Sequence, residues 1–274
     1  MFGFNDRDVF LAAVIFYGAS TVFSVFLWRK GFRQHNRLIY LLLLLAFGLH
    51  TLAMVGRGFS LSRCPVNNLY EAMMFVGWTI VASYLVLEAW PRVQFLGAFA
   101  APVLFGIGVF ALMPPLDPPY SGKPEFSGGW TSFHAASILL AYGAFGLSFV
   151  AGLMYLTQEH DLKFHKLRAV FSLIPPIQRL ETIIGRLLLA GFALLTIGLA
   201  IGAHNLRQTS GVFYKGDVKV LWSIVVWAFY LALLIMRWRF AQTGRRFVWG
   251  AVGTFAFVLL TFWGTNLLSN IHQQ

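Results

Sequence analysis

Eight runs of mostly apolar residues recur along the chain, separated by short polar connectors: Val9–Trp28, Leu38–Val55, Leu69–Leu87, Val93–Met113, Trp130–Leu156, Leu187–Ala203, Val220–Met236 and Phe247–Leu268. A helix rises about 1.5 Å per residue, so about 20 residues cross the roughly 30 Å hydrocarbon core of a bilayer. The pattern predicts an all-α integral membrane protein with eight transmembrane helices in a single polytopic domain over residues 1–274. The first run follows Asp6, Arg7 and Asp8 and has no small-residue cleavage pattern after it, so it reads as a span and not as a removable signal peptide.

Composition supports a lipid solvent. Of the 274 residues 58% are hydrophobic and 11% charged, and mean hydropathy is +0.70, whereas a soluble domain carries about a quarter charged residues. The formal charge of +11 would raise nucleic-acid binding for a soluble chain. In a membrane protein it reports cytoplasmic connectors instead, and no nucleic-acid partner is expected. Two-thirds of the 21 Lys and Arg fall in one alternate set of connectors, among them Arg29, Lys30, Arg33, Arg37, Lys163, Lys166, Arg245 and Arg246. The positive-inside rule then puts both termini outside the cytoplasm. The outer connectors are 56–68, 114–129 and 204–219. The long inner connector 158–186 includes an amphipathic stretch, Phe164–Ile174, ended by Pro175-Pro176. No internal repeat of the kind seen in transporters stands out. Cys64 is the single cysteine, so an intramolecular disulfide, a CxxC pair and a cysteine-built metal site are excluded.

Histidine is the one plentiful ligand type, with seven copies. His35, His160 and His165 lie among inner cations and read as solvated. His134 stands four residues into the fifth run and His272 just past the eighth, both at the outer face, while His204 opens the outer connector after the sixth run and His50 lies in the outer half of the second. Two neutral imidazoles from different helices can supply both axial ligands of a haem iron, aromatic walls suit the porphyrin, and Arg57, Arg63, Arg207 or Lys219 can pair with propionates. The same two histidines also suit ordinary interfacial positions. His50 suits either a hydrogen-bonded packing role or a functional one, since an ionisable group inside a span is costly. Glu71 falls in the first turn of the third helix, where Asn67 or Asn68 can act as cap. Asp217, Lys219 and Trp222 lead into the seventh run, where tryptophan often serves as an interfacial anchor. There is no nucleophile–base series, phosphate loop or pair of carboxylates at a span centre, so soluble-type hydrolysis has no support.

Four stretches, taken together, carry a family resemblance: His50-Thr51 with Arg57 and Pro65 to Ala72; Trp130 to Ser137; Gly191-Phe192 with Leu195 to Gly198; and Gly216 to Arg237 continuing through Gly244-Arg245-Arg246 to Thr261–Leu268 and His272. In this order they resemble the cytochrome c assembly family of haem-handling membrane proteins, the CcsA type of system II c-type cytochrome biogenesis. The resemblance implies that His134 and His272 are the axial pair for haem b and that His204 to Trp222, with Asp217, is the haem-presenting loop. It also implies an apocytochrome c as recipient, a separate CcsB-type subunit, activity as part of a cytochrome c synthase (haem lyase), and a bacterial plasma membrane location. The family loop reads Asp-Pro-Lys-Glu-Thr-Trp; here Asp217, Lys219 and Trp222 match it, while Val218, Val220 and Leu221 do not, Phe213 and Tyr214 stand where tryptophans are usual, and Ile235 occupies the place of an inner histidine. Those substitutions keep two other classes open: a CcsA-like accessory or regulatory protein without attachment activity, and a solute or metal transporter using His50 and Glu71.

Overall fold

A computed structural model describes residues 5–30, 37–61, 68–88, 96–117, 129–163, 176–210 and 218–268. Among them are eight α-helices, one short 3-10 turn and no strand: α1 (Asp6–Lys30), α2 (Arg37–Leu61), α3 (Leu69–Glu88), α4 (Leu96–Ala111), the 3-10 turn Pro114–Leu116, α5 (Gly129–Lys163), α6 (Ile177–Ser210), α7 (Val218–Arg239) and α8 (Arg245–Leu268). The chain is an all-α, multi-pass membrane protein. Helices α1, α2, α3, α5, α6 and α7 are each long and apolar enough to cross a bilayer; α4 is shorter at 16 residues and α8 has 24. Large apolar side chains such as Ile15, Val22, Leu41, Leu45 and Leu260 stand exposed on the outside of the bundle, a surface that only lipid tails can cover over so large an area.

Several helices outrun their apolar runs. Helix α5 has 35 residues and α6 has 34, so each is about 50 Å long. The inner connector expected at 158–186 is therefore helical up to Lys163 and again from Ile177, and its amphipathic stretch lies outside the described residues. At the other side, 56–61 belongs to α2 and 204–210 to α6. Hydropathy reports where lipid begins, whereas a helix continues into water for as long as its backbone hydrogen bonds hold.

Local chemistry sets several ends. Asn68 caps α3: its side-chain oxygen accepts from the Glu71 amide at 2.8 Å, and its carbonyl accepts from Ala72 at 3.0 Å. The Pro176 carbonyl accepts from Arg179 and Leu180 at the start of α6, where a missing proline N–H does no harm. Gly244, at φ 74, turns the chain from α7 into α8.

Helices α3 and α5 form the centre, with 72% of their span residues buried against 22–33% for α1, α2, α6 and α7. Glycines on α5 allow this closeness. Gly143 lies directly under Thr79 of α3, Gly146 under Ile80 of α3 and Phe255 of α8, and Gly152 under Val252 of α8. Lipid offers no hydrophobic drive for helices to associate, so surfaces of small residues that bring backbones together provide much of the dispersion energy.

Candidate functional site

Directions along the bundle follow from matched contacts. Thr79 and Ile80 of α3 meet Gly143 and Gly146 of α5 in the same order, so these helices are parallel and begin at one end. Helix α6 returns antiparallel, with Gly191 beside Phe145 and Gly198 beside Ile138. Helix α8 is antiparallel to α5 as well: Arg245 lies 3.6 Å from Glu159, Val252 lies beside Gly152, Phe255 tilts against Phe149 with ring centroids 5.3 Å apart, and Val258 and Leu259 share a small apolar pocket with Tyr142. Arg57, Glu71, His134 and His204 therefore share one end of the bundle.

In the α1–α4 half that end is closed by charges. The Arg57 guanidinium donates from Nε to Glu71 at 3.0 Å, from Nη1 to Asp6 at 3.1 Å and from Nη2 to Asp117 at 2.5 Å. Its plane lies over the Tyr70 ring, 5.0 Å from the centroid. Asn68 donates to Asp117 at 2.9 Å, and Arg7 donates to the Leu112 carbonyl at 2.6 Å and approaches Asp117 at 3.8 Å. Residues from α1, α2, α3 and the turn after α4 are thereby tied through one side chain, a planar fork whose three nitrogens each face a different carboxylate. Sequence reasoning offered Arg57 as a propionate partner; its donors here face the carboxylates of Asp6, Glu71 and Asp117.

His50 is buried below this cluster at 1% exposure. Its Nδ1 is 3.0 Å from the Tyr17 hydroxyl, its ring tilts against Phe10 at 4.8 Å, and Nε2 has no hydrogen-bond partner among the described residues.

In the other half His134 occupies the second turn of α5, partly buried against α6. Its Nδ1 is 2.6 Å from the Gly198 carbonyl. A carbonyl only accepts, so Nδ1 carries the proton and the ring's lone pair resides on Nε2. That is the state in which a histidine binds a metal, with the remote nitrogen held by a backbone carbonyl, and the donor fits haem iron. His204 lies on the exposed face of α6, one turn beyond Ala200, with its Nε2 3.0 Å from the Gln208 amide nitrogen. It is helical and does not open a loop, because α6 continues to Ser210. Trp222 is on α7, turned toward α8 with its ring 5.2 Å from Phe257; its indole N–H is buried without a partner among the described residues. Asp217 and His272 lie outside the described residues, as do Phe213 and Tyr214. Among the described residues no three His, Cys, Asp or Glu side chains gather as a metal cage, which a haem with two axial histidines does not require.

The sequence reading missed Asp6, Asp117 and Tyr17, and the glycines facing His134. Their signals were slight: acids just before and after apolar runs, and two glycines four residues apart on α6.

Fold and site together describe a multi-pass helical membrane protein with one end closed by ions and, at the same end of its other half, a histidine bonded to a backbone carbonyl. The profile of the cytochrome c assembly protein family matches residues 66–272. The chain belongs to that family. It is 28% identical to cytochrome c biogenesis protein CcsA of Prochlorococcus marinus subsp. pastoris, over 96% of this chain and 91% of that one. It is 27% identical to CcsA of Guillardia theta over 74% of each chain, and 26% identical to protein HemX of Brevibacillus brevis over 85% of this chain and 86% of that one.

Proposed function

We propose that, within c-type cytochrome biogenesis, this chain holds haem b on the outer face of a bacterial plasma membrane and presents it for covalent attachment to an apocytochrome c. His134 and His272 are the axial pair. The observation that carries this reading is the Nδ1 bond of His134 to the Gly198 carbonyl, which leaves Nε2 as the donor. The register of α8 supports the partner. The steps along α5 from Glu159 through Gly152 to Phe149 are matched residue for residue along α8 from Arg245 through Val252 to Phe255. Continuing that register brings the last turn of α8, which ends at Leu268, toward the level of His134, and His272 follows four residues later.

Haem is the cargo. Attachment adds a cysteine thiol of the apocytochrome across each vinyl group: a carbon–sulfur bond forms, the vinyl double bond is lost and the thiol proton ends on the neighbouring carbon. This chain's residues hold the iron and shield it, and Trp222, its ring tilted 47° against Phe257, contributes aromatic surface in the same half. A CcsB-type subunit is the expected partner for the apoprotein. Eight crossings with both termini outside the cytoplasm complete the arrangement.

The test is the purified full chain in lipid nanodiscs. A low-spin bis-histidine haem spectrum is expected, lost in His134→Ala and in His272→Ala and kept in His204→Ala; an unchanged spectrum in His134→Ala overturns the reading. A second reading, an accessory or regulatory member without attachment activity, is favoured by Val218, Val220 and Leu221 at the start of α7, where the family pattern differs, and by 26% identity to HemX, close to the 27–28% with the CcsA proteins. Reconstitution with a CcsB-type subunit and an apocytochrome separates the two: covalent haem on the apocytochrome supports the first, and bound but never attached haem supports the second.

A further inference from the structure

His134 stands against α6 where Gly198 and Gly202 follow each other by one helical turn. The Gly198 carbonyl receives the Nδ1–H at 2.6 Å. That carbonyl belongs to a helix and also serves the helix's own ladder, so the imidazole must reach its second lone pair from the side. A side chain four residues further along lies over that approach, because helical side chains lean toward the N-terminus. Position 202 is glycine, and the gap is filled by the ring: a Cβ there would stand 2.5 Å from Cε1 and 2.8 Å from Nδ1. At Gly198 a Cβ would meet Cγ1 of Ile138 at 2.7 Å, so the same pair also sets how closely α5 and α6 approach.

We infer that Gly198 and Gly202 are positioning residues for His134: one fixes the tautomer, the other provides the slot, and together they aim Nε2 at the haem iron. The inference rests on the haem reading above. Any side chain at 202 displaces the ring toward ordinary van der Waals separation, lengthening a 2.6 Å bond until it no longer holds. The proton is then released to redistribute between the two nitrogens. A proton on Nε2 occupies the lone pair that a metal needs, so haem affinity falls even though every ligand is still present.

The experiment uses full-length chain in nanodiscs with 15N-labelled histidine, read by NMR without haem and by absorption, EPR and reduction potential with haem added. Wild type is expected to show His134 protonated at Nδ1 alone, assigned by its loss in His134→Ala. In Gly202→Ala that signal should shift toward a mixture, with haem binding about 10-fold weaker or more and altered low-spin g values. Gly191→Ala is the control for simple spreading of α5 from α6, since its Cβ would stand 2.5 Å from the Phe145 ring lower in the same interface; it should leave both readouts as in wild type. The glycine role is overturned if Gly202→Ala keeps the Nδ1–H signal, or if Gly191→Ala moves both readouts equally. Haem binding untouched by His134→Ala overturns the haem reading, and with it the aim at iron, while the histidine NMR still decides the glycines' part.

Discussion

The two halves of the bundle finish the same end in opposite ways. In α1–α4 the end is locked by Arg57, whose three donating nitrogens bind three carboxylates from other elements. In α5–α8 it is held by shape, with glycines seated under side chains and a histidine resting on a backbone carbonyl. A charge cluster removed from water is rigid and self-sufficient: each member's desolvation is offset only while all partners remain. A glycine slot sets the ring's place by shape and one carbonyl rather than by charge. On the haem reading proposed above, anchoring falls to the first half and ligand handling to the second.

The largest expected effect comes from breaking the lock. Arg57→Ala leaves Asp6, Glu71 and Asp117 facing one another, and loss of a buried pairing of this kind costs about 3–5 kcal/mol. Thermal unfolding of the full chain in nanodiscs should show a marked fall in Tm with haem ligation in the surviving folded fraction unchanged. A Tm equal to wild type would falsify the anchoring role. Arg57→Lys should recover only part of the loss, because a compact ammonium lacks the planar fork whose separate nitrogens reach the three acceptors.

Next in size is the seam between the halves. Gly143→Ala inserts a Cβ onto Thr79, and overpacking costs typically about 1–3 kcal/mol. Thr79→Gly in the same chain, which also removes the Thr79 Cβ lying against the new methyl, should recover part of it; if the double variant is no more stable than the single one, the seam is not where the halves are fitted. Smaller again is Tyr17→Phe, which removes the hydroxyl 3.0 Å from His50 Nδ1 and should lower stability by about 1 kcal/mol. Retention of His134-dependent haem in that variant keeps His50 on the anchoring side of the comparison, and its loss moves His50 across. The smallest effect belongs to Gly253→Ala on α8, where a Cβ meets open space. Helix propensity predicts a gain of up to about 1 kcal/mol, and a Tm drop there would mean that packing around α8 is tighter than the contacts indicate.

Much of the architecture was legible because one physical rule governs it. A segment surrounded by lipid must satisfy its own backbone, so apolar length reads directly as helix. The cap at Asn68 and the break at Pro176 were equally local and readable. Helix ends beyond the hydrocarbon were not, since α5 and α6 continue through polar residues that hydropathy scores as connector. Glu71 illustrates the limit. Its first-turn position was visible in the sequence, but its partner Arg57 is 14 residues away on α2, and Asp6 and Asp117 join that same arginine from 51 and 60 residues away.

The sequence alone determined that this chain lives in a membrane as helices, which family it resembles, and which histidines stand near the end of a span. Only the tertiary structure decided which nitrogen of His134 carries the proton, that Arg57 is engaged by three acids, and which glycines touch what. Apolar runs are properties of consecutive residues and survive any arrangement of the bundle. A tautomer, an ion cluster and a slot depend on atoms from different helices meeting within about 3 Å, and packing sets those distances.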